Sequence, residues 1–368
     1  MAARFAGQSL PSNARRVAVK VRLVNLKCAS PTSTATHLRY IEREGVGQEG
    51  QPGIAYGPES DQIDVGQFEG RGHGDRHQFR FIVSPEDAEQ LDDLKIFSRQ
   101  LMGRMASDLG TRLDWVAVDH WNTDNPHTHV VLRGKDDAGK DLIISKDYIS
   151  RGMRERAAEL ATEWLGPRTE LEIQQGLQRE VMQERWTTLD RSLLREVYAD
   201  GSVRLGPGSA NTGDDRWQNL RAARLKTLQR MGLASEDTPN VWTLNRDVRE
   251  TLQAMGERND IIRTMQRAMG GAPRDLAIQA SAEGPCSVVG RIIGKGHTDE
   301  LDGRGYLIVD GIDGRTHYAP LPARADLSQF PREGIVEITE AKRGTKLHRP
   351  HGLTRPDVNI RLRSHFSI

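Results

Sequence analysis

Val17, Val19, Val21 and Leu23 alternate with Ala18, Lys20, Arg22 and Val24, and this period of two predicts a β-strand. Residues 1–15 before it carry no such pattern and read as a flexible basic arm. A turn at Ser30-Pro31 leads to a short helix, about Thr32 to Glu44, with Gly45 as its stop. Leu38 and Ile41 mark its apolar side, whereas Tyr40 shares a face with Thr36, Arg43 and Glu44. Residues 46–76 are rich in Gly, Gln and Asp and read as one long loop. His77 to Val83 resumes a strand. Ser84-Pro85-Glu86-Asp87 offers a Ser cap, a Pro in the first helical position and an acid two residues later. The helix expected there carries Leu91, Leu94, Phe97, Leu101, Met102 and Met105 and ends near Gly110.

The next stretch is Val116-Ala117-Val118 and Val130-Val131-Leu132, two apolar runs expected to be buried strands. Trp121 to Pro126 between them is full of Asn, Asp and Pro, which form turns, so the runs make a hairpin. That hairpin brings His120, at the end of one strand, beside His127 and His129 at the start of the other. Strand residues two apart share a face, roughly 6.6 Å from each other. Imidazoles so spaced can tip toward one ion at about 2.0–2.1 Å. A last helix, Lys146 to Leu165, closes at Gly166-Pro167. Strand-helix-strand-helix and then two strands make an α+β domain over 16–167, an antiparallel sheet with helices packed on one face.

Beyond residue 167 the character changes. Residues 168–275 are mainly helical, and Arg216, Arg221, Arg224, Lys226 and Arg230 crowd one helix around Trp217. A hairpin through Asp237-Thr238-Pro239-Asn240 and a helix at 246–268 follow, an order that resembles a winged-helix unit. Short strands at Val288–Ile293, Tyr306–Val309, Thr316–Ala319 and Gly334–Ile338 suggest a small β-barrel-like domain over 276–342. Residues 343–368 read as an irregular basic tail.

Composition narrows the class. The chain has 368 residues, 36% of them hydrophobic, enough for two or three domains with cores of their own. The absence of an 18-residue apolar run argues against membrane insertion. The first residues lack the apolar core of a secretory signal. Cys28 and Cys286 are the only cysteines and lie far apart, which points to a reducing, cytoplasmic setting. Net charge is only +1, yet residues 1–45 hold eight basic residues against two acids. A cluster of that kind can steer a polyanion.

Three neutral imidazoles leave a divalent ion with its full charge and open positions for Lewis-acid work on a phosphoryl or carbonyl oxygen. Without the carboxylates of a dedicated magnesium cage, Mn or Zn suits the set at least as well as Mg. Asp119 and Asp124 are candidates to orient the ligands from behind.

Taken together, His120, His127 and His129, with Asp124-Asn125-Pro126 between and Val-Val-Leu-Arg-Gly after, resemble the histidine motif of the conjugative relaxases within the HUH endonucleases. His37-Leu-Arg-Tyr-Ile-Glu-Arg-Glu-Gly45 is similar to the nucleophile motif of the VirD/MobP type, and Phe79 to Asp87 to its middle motif, whose Ser is implicated in DNA contact. All three occur in family order over about residues 16–165, and the remainder resembles, more loosely, relaxases with a long C-terminal region of uncharacterised function. Asn122 stands where many relaxases carry an acid two positions after the first histidine, and it joins Asp119 and Asp124 as a supporting candidate.

The resemblance implies a mobilisation nuclease in a bacterial cell. Tyr40 would attack single-stranded transfer-origin DNA and form a 5′-phosphotyrosyl intermediate, with the divalent ion on the three histidines. Lys20, Arg22, Arg39, Arg43, Arg80, Ser84 and Arg133 would be the DNA contacts, and accessory nicking proteins and a type IV secretion coupling protein the partners. Two other classes compete: a non-catalytic DNA-binding regulator resting on residues 215–268, and a three-histidine metallohydrolase of a small-molecule phosphoester.

Overall fold

The computed structural model describes residues 10–27, 33–43, 46–121, 123, 125–198, 201–205, 215–270, 274–278, 288–299, 301, 304–321, 325, 327–340 and 358–362. The chain divides into two compact units, 1–168 with 299–303, and 169–298 with 304–368. Both combine helices with sheet, and the four-stranded sheet of the first is wholly antiparallel.

The first unit is built on four strands, β1 (Val17–Asn25), β2 (His77–Pro85), β3 (Trp115–His120) and β4 (His127–Arg133), in the order β1-β2-β4-β3. The β3–β4 hairpin sets His120 opposite His127 and Val118 opposite His129. On one face Phe79, Phe81, Ala117, Val130 and Leu132 pack with α3 (Leu94–Leu109) and α4 (Met153–Leu165). Leu94, Phe97, Leu101 and Met105 of α3 are all buried, each contributing roughly 1.5–3 kcal/mol. Gly110, at φ 66°, supplies the left-handed residue that ends this helix.

The other face is covered as well, which corrects the expectation of helices on one face. Val116, Val118 and Val131 pack against Leu38 and Ile41 of α1 (Ser33–Ile41) and Phe68 of α2 (Val65–Arg71). The second helix lies inside the stretch read as loop. Asp64 caps it, accepting from the Gly66 and Gln67 amides at 2.8 and 3.4 Å. Two glycines in seven residues hide its periodicity. Tyr56 exchanges backbone hydrogen bonds of 2.9 and 2.8 Å with Ala117, which covers the outer edge of β3.

Two further expectations fail for physical reasons. Ser84-Pro85 does not open a helix, because β2 runs through both residues, paired with Ala18 and Val17 of β1. Proline is tolerated there because β4 pairs with β2 only as far as Val83, so Pro85 has a partner strand on one side alone, as at a sheet edge. The cap of α3 is Asp93, which accepts from the Lys95 and Ile96 amides at 2.7 and 3.2 Å. The arm is not loose at its end either: Arg15 is buried, with its guanidinium 3.1 Å from Asp87 and 2.9 Å from the Gly166 carbonyl. Gly45, Asn122, Asp124 and both cysteines lie outside the described residues.

The second unit begins with α5 (Glu170–Val181) and α6 (Thr188–Arg195), each opened by a capping box, from Thr169 and Thr187. Next come β5 (Ser202–Arg204), α7 (Asp215–Arg230), β6 (Ala234–Thr238), β7 (Val241–Leu244) and α8 (Val248–Met269), with a three-stranded sheet in the order β5-β7-β6. The remaining strands are β8 (Asp275–Ile278), β9 (Val288–Asp299), β10 (Arg304–Gly311), β11 (Arg315–Pro320), β12 (Ile335–Glu340) and β13 (Val358–Leu362). They form one sheet in the order β13-β12-β9-β10-β11-β8. Among the described residues its two ends do not pair, so the sheet is open where a barrel was expected. β13 pairs antiparallel with β12 from within the stretch read as irregular tail.

Among the described residues no helix is long and apolar enough to cross a membrane.

Candidate metal centre

The three histidines of the hairpin converge. One ring nitrogen of each lies within 4.8 Å of the others, and all three side chains are buried. The ring centroids of His120 and His129 are 4.3 Å apart, and those of His127 and His129 5.0 Å. Directly opposed and alternating strand residues share a face, which is why the rings meet.

Hydrogen bonds assign their nitrogens. His120 Nε2 is 2.7 Å from the carbonyl of Ile41, the last residue of α1. A carbonyl only accepts, so Nε2 carries the proton and Nδ1 the lone pair. His127 Nδ1 donates in the same way to the Asn125 carbonyl at 2.9 Å. Its Nε2 then faces His129 Nε2 at 3.2 Å, close enough that one must donate to the other unless a cation takes both lone pairs. Backbone carbonyls that fix ligand tautomers are the usual outer shell of a metal-binding histidine. The donor set fits one divalent ion.

The same face carries much of the predicted basic surface. Ile82 lies opposite His129, Lys20 opposite Ile82, Arg80 opposite Val131 and Arg22 opposite Arg80. Lys20, Arg22, Arg80 and the three histidines therefore look the same way, and Ser84 Oγ lies 3.4 Å from the Pro126 carbonyl in the histidine loop. Arg80 is buried, and burial with the nearby Arg22 charge pulls its guanidinium down to about 10. Arg39 and Lys20 are exposed. Arg133 is different: Asp75 holds it at 2.9 and 3.0 Å and Asp114 at 3.0 Å. With its charge met by two carboxylates, it is a poor phosphate contact.

Tyr40 is half-buried against the cluster that holds Ile41 and Val118. The Arg43 guanidinium lies 4.2 Å from its ring centroid and donates to its carbonyl at 3.2 Å, which holds the ring in place.

Asp119 serves another purpose than orienting a histidine. It points to the opposite face, where it accepts from Tyr56 Oη at 2.8 Å and Thr128 Oγ1 at 2.6 Å, with Ser98 bonded to Thr128 at 3.0 Å. Burial pushes its carboxyl up from 3.8 to about 6, against the two hydrogen bonds that favour ionisation. The Tyr56 phenol is raised too, by its burial and the neighbouring Asp119 charge.

The sign follows from linkage. Asp119 ionises at a lower pH in the unfolded chain than in the folded one, so its contribution is whole at low pH and lost as pH rises through about 6. Asp119→Asn should therefore gain on wild type by up to about 3 kcal/mol between pH 4 and pH 8. Urea unfolding across that range measures the gap; a gap independent of pH would refute the assignment.

Two relevant residues were given no role in the sequence reading, although one of them, His37, opens the stretch similar to the nucleophile motif. His37 is buried on α1, edge-on to His129 with centroids 6.4 Å apart and an interplanar angle of 72°. Its spacing four before Ile41, on the apolar stripe, was the available signal. Gly53 is the second. A side chain there would meet the Ile41 carbonyl at 2.9 Å and Val118 Cγ1 at 2.6 Å, so glycine lets segment 46–57 lie against the end of α1.

Comparisons with known proteins bear on the other unit. A family model described as "Protein of unknown function (DUF3363)" matches residues 221–348. No curated protein and no solved structure matches the chain.

Proposed function

We propose that the chain is a DNA relaxase that nicks one strand of transfer-origin DNA at a specific site, for conjugative mobilisation of a plasmid or integrative element. The observation that carries this reading is the convergence of three buried imidazoles beneath the helix that bears Tyr40, on a sheet face that also presents Lys20, Arg22 and Arg80. Its motifs, as read in the sequence, give the reading its chemistry.

His120, His127 and His129 would hold a divalent ion (Mn, Zn or Mg), which supplies charge stabilisation at the scissile phosphate's non-bridging oxygens. Tyr40 Oη attacks phosphorus as its proton passes to solvent. A tyrosyl O–P bond forms, the bond from phosphorus to the 3′ oxygen breaks, and that oxygen takes up a proton. The products are a 5′-phosphotyrosyl strand and a free 3′-OH, and the retained phosphodiester energy allows later rejoining. Arg43 holds the phenol ring, while Lys20, Arg22, Arg80 and Ser84 lie where a strand's phosphates would run across the face. Accessory nicking proteins and a secretion coupling protein belong to this reading as partners.

The test is incubation with a single-stranded oligonucleotide from the transfer origin and Mn2+, followed by denaturing electrophoresis. Wild type should give a denaturation-resistant adduct that maps to Tyr40, and Tyr40→Phe none. A metallohydrolase of small phosphoesters would be indifferent to Tyr40→Phe, and a DNA-binding regulator would give no adduct with either protein. An adduct at Tyr56 or Tyr148 would keep the reaction and displace the nucleophile.

A further inference from the structure

Helix α1 touches two of the three imidazoles, one turn apart. At its last residue the Ile41 carbonyl accepts from His120 Nε2 at 2.7 Å. One turn earlier the His37 ring stands edge-on to His129, 6.4 Å between centroids. The two contacts, one from a main-chain carbonyl and one from a side-chain ring, come from residues four apart, so the last turn of α1 makes both. Tyr40 lies on the same turn, three after His37 and one before Ile41.

We infer that His37 is a positioning residue that seats α1 on the three-histidine centre, so that ion binding and docking of the tyrosine-bearing helix are one coupled event.

Each contact acts on the ligands differently. The Ile41 carbonyl keeps the proton on His120 Nε2 and leaves Nδ1 as the ligand atom; if α1 lifts, that preference is lost. The edge of His37 limits how far the His129 ring can turn, and His129 is the ring closest to both other members of the set. His37 itself lies outside the group whose nitrogens fall within 4.8 Å, so it acts on the ligands rather than as one of them. Linkage makes the effect reciprocal: whatever α1 contributes to ion affinity, the ion returns as stability of the docked helix. Gly53 belongs to the same device, because the space left by its missing side chain is where the Ile41 carbonyl sits.

This inference rests on the metal-site part of the relaxase reading and not on its DNA chemistry, and its test uses no DNA. Amide hydrogen exchange is followed in the full-length protein with and without Mn2+, and in a separate arm Zn2+, with ion affinity from calorimetry. In wild type the ion should slow exchange of the α1 amides, residues 37–41, at least about tenfold, and leave α6 of the second unit unchanged. His37→Ala should weaken ion affinity about 10–100-fold, the cost typical of an outer-shell partner, and abolish the extra protection of α1. Gly53→Ala, which removes no ring, should weaken affinity in the same direction by displacing the helix end.

The inference is overturned if α1 exchange in wild type ignores the ion, or if His37→Ala binds it as tightly as wild type does. The wild-type comparison alone can refute it, even if the variants fold poorly. Ion-dependent protection without a covalent DNA adduct would sink the relaxase reading and leave this one standing; an adduct without protection would do the reverse.

Discussion

His129→Ala should lose the divalent ion almost entirely, with affinity more than a hundredfold weaker than wild type. The reason is its place in the set. His129 is the ring nearest to both other histidines and shares the 3.2 Å nitrogen–nitrogen contact with His127, so without it only two donors remain, on neighbouring strands. Two imidazoles do not hold a labile divalent ion at the affinity of three. The loss has a thermal signature. An ion at a hundred times its dissociation constant stabilises the folded state by about 2.7 kcal/mol. In a domain of this size that raises Tm by roughly 5–10 °C. Wild type should show that rise on adding Mn2+ or Zn2+, and His129→Ala should not. A variant that keeps the full ion-induced rise would show that the ion binds elsewhere.

Asp190→Ala should destabilise the second unit by about 3–5 kcal/mol. Arg224 is fully buried and Asp190 nearly so. Their side chains meet through two hydrogen bonds, of 2.7 and 2.8 Å. The same guanidinium donates to the carbonyls of Val181, Gln183 and Arg185, tying the end of α5 and the following turn to α7. Asp190 also completes the capping box of α6, accepting from the Thr187 amide at 2.8 Å. Its removal leaves a buried cation without its counter-charge and undoes a cap, two costs that add. Urea denaturation should show the loss as a lowered midpoint, and Asp190→Leu combined with Arg224→Met should recover part of it, because a pair of apolar groups carries no unmet charge. A loss below about 1 kcal/mol would contradict this account. The same geometry weakens the reading of α7 as a basic DNA-contacting helix. Arg224 and Arg221, the latter 2.6 Å from Glu196, are core residues whose charges face inward.

The β3–β4 hairpin was legible because its signals agree: β-branched runs, a loop of turn formers, and histidines at the spacing that a pleat turns to one side. The strands also held evidence on helix placement that went unused. Val116-Ala117-Val118 and Val130-Val131-Leu132 are apolar at consecutive positions, and a strand apolar on both sides needs cover on both. Reading that parity would have called for cover on the second face and put α1 there, though not α2, whose periodicity its glycines hide. Ser84-Pro85-Glu86-Asp87 misled because it offers cap chemistry where β1 had already claimed the backbone, and Asp93 does the capping nine residues on. Charge was the poorest guide. Arg133, Arg221 and Arg224 look the same in sequence as Lys20, yet their carboxylate partners come from distant segments that only the fold brings near. His37 shows the converse: a histidine on an apolar stripe has no visible purpose until the β3–β4 hairpin beneath it proves to carry three more.

The most direct measurement is a crystal structure of the protein soaked with Mn2+, with the ion located from its anomalous signal. The expected result is one ion about 2.0–2.2 Å from a nitrogen of each of His120, His127 and His129. Tyr40 Oη should lie within about 6 Å of that ion, the reach of a single phosphate between them. An ion held by other residues, or a Tyr40 hydroxyl more than about 10 Å away beneath a well-ordered helix, would contradict the account.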